Sequence, residues 1–184
     1  MGIVVDNHFP TPDQNIYSWI DEEVTINELE ISADNPPLTQ TYVIRNGDLN
    51  INGNIEYKLD TSILGAFILK QFPSAAFIVI DGDINIHEDV DRLDGVFIAI
   101  DTDDTDGIET GKINSKDNEI SYNQLTINGI MVGDVSNLFE QRRYVGNISN
   151  DEGSVTIKFS ENFLLNTPPG LSELLDLTQL RVAY

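Results

Sequence analysis

The chain repeats itself. Asp48-Leu49-Asn50-Ile51-Asn52-Gly53 is matched by Asp83-Ile84-Asn85-Ile86-His87-Glu88, and each copy follows an apolar run that ends in a turn pair: Tyr42-Val43-Ile44-Arg45 before Asn46-Gly47, and Phe77-Ile78-Val79-Ile80 before Asp81-Gly82. The offset is 35 residues from Gly47 to Gly82, and a weaker third copy, Gln124-Leu125-Thr126-Ile127-Asn128-Gly129, follows after 41 more, counted from Ile84 to Leu125. Self-similarity at such spacing belongs to architectures in which one small unit is stacked on another. Within each unit the aliphatic residues alternate with Asn, Thr or His, the period of two expected of a strand with one buried face. Two folds accommodate this. Asn-Gly and Asp-Gly between alternating runs are hairpin signals and would give an antiparallel β-sandwich. Resemblance in register, at a spacing of one or two coils per unit, favours a short capped β-solenoid, a parallel β-helix in the all-β class. Gly95–Ile100 and Gly129–Gly133 would add strands to the same stack.

The flanks read as caps on a single domain spanning 1–184. Thr11-Pro12-Asp13-Gln14 is a helix-start signal, and Ile16, Trp19 and Ile20 follow at helical spacing, which predicts a short N-terminal helix from Pro12 to Asp21 or Glu22. Alternation at Val24–Ile26 and Leu29–Ile31 adds strands, so 1–38 forms an N-terminal cap, 39–160 the solenoid body and 161–184 a C-terminal cap with a short helix over Leu171–Leu180. Leu59–Ser74 is apolar enough for either a strand or a buried helix. Asp101–Glu119 reads as an acidic loop inserted between coils, Asn137–Asn150 as a further interruption, and Ser154–Phe159 as a strand.

Charge narrows the partners. Thirty-one Asp and Glu against 10 Lys and Arg give a formal net charge of -21, which repels phosphate backbones and anionic headgroups. Nucleic acid and direct membrane contact are thereby disfavoured, while protein partners, self-association, cations and neutral carbohydrate remain compatible. The absence of cysteine removes disulfides, thiolate metal sites and thiol nucleophiles together. No stretch is long and apolar enough for a membrane helix.

Phe9-Pro10-Thr11-Pro12-Asp13 leading to Trp19, the two Gly-Asp-(Leu/Ile)-Asn-Ile copies, Leu93–Ala99, Leu125–Gly129 and Pro168-Pro169-Gly170 together resemble the soluble part of uncharacterised, pilin-associated cell-surface proteins of uncultured small bacteria. Those proteins are similar to polymer-forming bactofilins in having a β-helical body. The resemblance covers Phe9 to Gly170 and implies a repeat body at an extracellular or cell-surface location, with a cytoplasmic one as the alternative. This chain departs from the pattern in lacking the apolar N-terminal helix, so the resemblance does not carry membrane anchoring or pilus assembly over to it. It implies no catalytic residues.

Three constellations bear on chemistry. Asp101-Thr102-Asp103-Asp104-Thr105-Asp106-Gly107 offers closely spaced carboxylates before a glycine, which suits calcium, although the spacing departs from the helix-loop-helix pattern; Asp101, Asp103, Asp104 and Asp106 are the candidate ligands and calcium the one candidate cofactor. Asp81, Asp83, Glu88, Asp89, Asp91 and Asp94 cluster around a repeat turn, and paired carboxylates there would suit a carbohydrate-active β-helix enzyme. His8 and His87 are isolated, and Arg142-Arg143 beside Tyr144 suits an anion or an acidic neighbour. Taken together these features predict a non-catalytic structural or adhesive domain, with a carbohydrate-active enzyme and a calcium-dependent binding module as alternatives.

Overall fold

In the computed structural model, which describes residues 15–32, 38–58, 72–102, 109–115, 123–142, 154–160 and 165–171, every strand pairing is parallel. Three strands make one coil. β1 (Ile16–Ile20), β2 (Val24–Ile26) and β3 (Leu29–Ser32) form the first, and β4 (Thr39–Arg45), β5 (Leu49–Ile51) and β6 (Ile55–Lys58) the second. The third consists of β7 (Ser74–Ile80), β8 (Ile84–Ile86) and the start of β9 (Arg92–Ile100), whose second half already belongs to the fourth coil with β10 (Ile113–Ser115) and the start of β11 (Leu125–Val132). The end of β11, a one-and-a-half-turn helix α1 (Ser136–Gln141) packed on β10, and β12 (Val155–Lys158) complete a fifth. The fold is therefore an all-β parallel solenoid with three faces, and the antiparallel sandwich is excluded.

Parallel stacking in register turns the sequence repeat into rows. On the second face Val24, Leu49, Ile84 and Ile113 lie one above another, as do Ile26, Ile51 and Ile86. On the third, Leu29, Ile55, Leu93, Ile127 and Ile157 are aligned. The first face carries an aromatic row inward, Tyr17, Tyr42, Phe77 and Phe97, with Met131 at its end. Consecutive ring centroids in that row are 5.2, 4.9 and 5.0 Å apart and the planes lie within 23° of parallel. That spacing follows from the separation of neighbouring strands, about 4.8 Å. Each offset pair adds about 0.5–1.5 kcal/mol beyond the area it buries.

The turn pairs make corners, not hairpins. Asp21, Asn46 and Asp81 take φ of 58°, 54° and 57°, and their amides bond to the carbonyls of Arg45, Ile80 and Ile100 in the next coil. Asp and Asn tolerate this left-handed conformation better than other side-chain-bearing residues. Asn46 and Asp81 are followed by glycines, needed because coils approach closely there: a Cβ on Gly47 would stand 2.3 Å from the Glu22 carbonyl oxygen, and one on Gly82 2.2 Å from that of Gly47. Gly95 and Gly129 serve another corner, where β9 and β11 run without a break from the third face into the first; a Cβ on Gly129 would lie 1.7 Å from the Gly95 oxygen.

Several expectations need correction. Residues Ile16–Ile20 are a strand, although their apolar positions fit a helix, because Tyr17 and Trp19 alternate into the aromatic core; residues 12–14 lie outside the described set. Leu125-Thr126-Ile127 does not continue the Leu49/Ile84 row but belongs to the third face opposite Arg92 and Leu93. Its place on the second face is taken by Ile113-Asn114-Ser115, from within the segment read as an acidic loop. The outward side of the first face is also apolar: Ala76, Ile78, Val96 and Ile98 are buried with Leu171. Thr41 Oγ1 donates to the Pro169 carbonyl at 2.6 Å, so residues 168–171 lie against this face. Residues 59–71 and 172–180 lie outside the described set.

Removing one ring from the middle of the aromatic row tests the row's weight. Phe77→Ala should lower unfolding free energy by about 3–5 kcal/mol, read as a fall in urea midpoint at unchanged slope.

Candidate functional site

The repeated acidic residues face outward at the entrance to each second-face strand, and their oxygens are engaged by the next coil. Asp48 Oδ1 accepts from the Asp83 backbone amide at 2.8 Å, and its Oδ2 from Asn85 Nδ2 at 3.4 Å. Asp83 repeats the pattern one coil on, accepting from the Lys112 amide at 2.9 Å and from Asn114 Nδ2 at 3.3 Å. Glu23 accepts from Asn50, and Asn114 in turn accepts from Asn137 at 3.2 Å. The Asp-x-Asn spacing of the repeat thus builds an inter-coil ladder. Asp83 shows the cost of this burial: desolvation raises its pKa, and Asp48 adds to the effect, while the Lys112 amide acts the other way.

A second polar ladder runs along the third face. Asn54 Oδ1 accepts from the amides of Asp91 and Arg92 at 3.1 and 3.2 Å, and its Nδ2 donates to Asp91 Oδ1 at 2.6 Å. Asp94 is 2% exposed and fully engaged. Its carboxylate accepts from Arg92 Nε and Nη2 at 3.1 and 2.7 Å, from the Tyr57 amide at 2.8 Å and from Asn128 Nδ2 at 2.6 Å. Arg92 and Asp94, two apart on a strand, share one side, which makes the fork geometrically natural.

Between the first and second faces the left-handed corner forms an open depression of about 360 Å³, lined by Asp21, Glu22, Glu23, Asn46, Gly47, Asp48, Asp81, Gly82 and Thr110. Its carboxylates are partly engaged. Asp21 accepts from Asn46 Nδ2 at 2.9 Å, and Asp81 from the amide and hydroxyl of Thr102 at 2.7 and 2.8 Å. A groove of this composition attracts cations or a basic segment of protein and repels anions.

Of the four candidate calcium ligands, Asp101 accepts from the Thr110 amide at 3.3 Å; Asp103, Asp104 and Asp106 lie outside the described residues. Among the described residues no group of three or more His, Asp or Glu is arranged to hold a metal ion. The second acidic cluster does not act as one unit: Asp83 serves the second-face ladder, Asp94 is enclosed by Arg92, and Asp81 caps a corner. His87 follows Ile86 as Asn52 follows Ile51, and its Nδ1 accepts from the Asp89 amide at 3.2 Å.

Arg142, which the sequence offers to an anion or an acidic neighbour, is 1% exposed. Nη1 donates to the Val90 carbonyl at 2.7 Å and Nη2 to that of His87 at 2.6 Å, so the residue after α1 clamps the corner between the second and third faces. Burial pulls its pKa down to about 10, opposed by Glu88, Asp89 and Asp91 around it. It stays cationic at neutral pH. Arg143 and Tyr144 lie outside the described residues, and no local sequence signal separates a clamping arginine from an exposed one.

No family model matches the chain, and no curated protein or solved structure matches it either. Among the described residues no helix is long and apolar enough to cross a membrane.

Two variants test these roles. The folded pKa of Asp83 lies above its unfolded value of 3.8, so the native state holds the proton longer and this group's contribution to stability is lost as pH rises from there through the folded pKa. Asp83→Asn does not titrate; the stability of the variant relative to wild type should therefore climb with pH across that window and then level, measured by urea unfolding at several pH values. Arg142→Lys keeps the charge but loses the fork that reaches both carbonyls. It should cost about 2 kcal/mol, the scale of a hydrogen bond to a charged group, seen as a lower melting temperature.

Proposed function

We propose that this chain is a non-catalytic structural or adhesive domain of the cell surface, acting through self-association or the binding of a protein partner. The observation that carries this reading is the use made of its repeated acidic residues. Asp48, Asp83 and Asp94 each spend both carboxylate oxygens on holding adjacent coils together. A general acid or a nucleophile needs an oxygen free to meet substrate. The chemistry that the acidic repeat offers is thus directed inward, to the stack.

What remains for contact is extended surface: the second and third faces, the acidic corner groove and the ends of the stack. Solenoids of this kind present such surfaces to other macromolecules. A net charge of -21 favours basic protein segments or neutral carbohydrate over nucleic acid. The extracellular assignment rests on the resemblance to surface-located repeat bodies.

Light scattering across a concentration series, paired with incubation on neutral and acidic polysaccharides, tests the reading. Association or polysaccharide retention without release of reducing ends is the expected result. Turnover that disappears in Asp89→Asn would overturn it in favour of the carbohydrate-active alternative.

A further inference from the structure

The two ends of the solenoid differ in burial and in charge. In the first coil the inward side chains Val24, Ile26, Leu29 and Ile31 are at most 8% exposed. The row that begins at Leu29 ends at Ile157, which is 46% exposed. β12 pairs with β11 and, among the described strands, with no other; Leu125 N–H donates to the Ser154 carbonyl, so the alternate residues Val155 and Ile157 turn their backbone N–H and C=O groups to the outer edge. An edge of this kind is a template for another strand.

Charge decides which strand. Residues 15–32 carry Asp21, Glu22, Glu23, Glu28 and Glu30 with no Lys or Arg. In the last coil, the described residues set Asp134 and Glu140 against Arg142 and Lys158, and β12 itself carries only Lys158. In a chain of net charge -21, two copies meeting through their first coils would appose two sets of five carboxylates, whereas β12 itself brings a single charge from each copy, the cation of Lys158.

We propose that the free edge of β12 is the docking site for a second copy of this chain, the two β12 strands pairing antiparallel about a two-fold axis. An axis through Thr156 keeps the inward sides of both strands on the same side. It sets Val155 of each copy opposite Ile157 of the other, extending the third-face aliphatic row across the junction. Lys158 then stands opposite Ser154, so like charges are not paired. Because Val155, Thr156 and Ile157 of one copy meet the same three residues of the other, the contact is isologous and is used up when two copies have met. This inference rests on the self-association arm of the reading above and specifies its geometry.

The chain has no cysteine, so a single engineered one reports the contact without background. Thr156 pairs with itself across the axis, at a separation a disulfide can span. Full-length Thr156→Cys under mild oxidation should give a covalent dimer and nothing larger, and wild type should scatter light at twice the chain mass in a concentration-dependent way. Ile157→Asp should return the mass to one chain with its circular dichroism unchanged; if that variant misfolds, the cysteine result decides alone. Association that persists in folded Ile157→Asp, or a ladder of larger species, would overturn the β12 contact while leaving self-association standing. A monomer at every concentration, without crosslinking, would overturn the contact and self-association together.

Discussion

Parallel, in-register stacking of coils is the constraint on which the rest of the structure depends. A strand in such a stack must give its backbone donors and acceptors to the coils above and below, so each residue type is forced to meet its own position in the neighbouring coil. Rows follow from this alone. Aliphatic positions align into continuous columns, the aromatic positions of the first face align into a ladder of near-parallel rings, and polar positions at the corners align into chains of hydrogen bonds. A chain with no cysteine and a large surplus of like charge is held by this redundancy, since each row is supported by its neighbours across several coils.

The surplus of carboxylates is absorbed by the same geometry. At the entrance to a second-face strand, the amide of one coil points toward the side chain below, and an Asp there accepts from both that amide and the Asn two residues further on. Burial raises the pKa of Asp83, and the repulsion of the like charge on Asp48 along the row adds to it. The row alternates carboxylate oxygens with amide hydrogens, which offsets the repulsion between charges. Where a carboxylate is enclosed altogether, as at Asp94, a guanidinium stands beside it. Arg142 is the converse case, a buried cation whose partners are carbonyl groups. Acidity in this chain is therefore partly structural: it supplies acceptors for amides that would otherwise be left at the coil boundaries.

The fold class, the parallel stack and the pairing of the Asp48 and Asp83 copies were legible because the repeat is copied in sequence. What was not legible has physical reasons. Ile16, Trp19 and Ile20 fit a helical period as well as a strand, and in so short a segment periodicity does not outweigh the tertiary contacts that Tyr17 and Trp19 make with the aromatic row. Ile113-Asn114-Ser115 is a three-residue strand in acidic surroundings, recognisable only once Ile84 is seen to need a neighbour. Leu125-Thr126-Ile127 imitates the repeat but sits on another face, because all three faces use the same alternation. The inter-coil role of Asp-x-Asn was present in the repeat itself, whereas the Arg142 clamp depends on a contact between residues far apart in the chain and has no local signature.

Register also survives large changes in coil length. Thr41 faces Ala76, Ala76 faces Val96 and Val96 faces Ile130, so successive coils on the first face differ widely in the chain they consume while their strands stay aligned. The short coil is closed by Gly95, which lets β9 pass from the third face to the first without a loop. Alignment is imposed by the rows and not by the spacing of the repeat, which is why a fixed period was only weakly visible in the sequence.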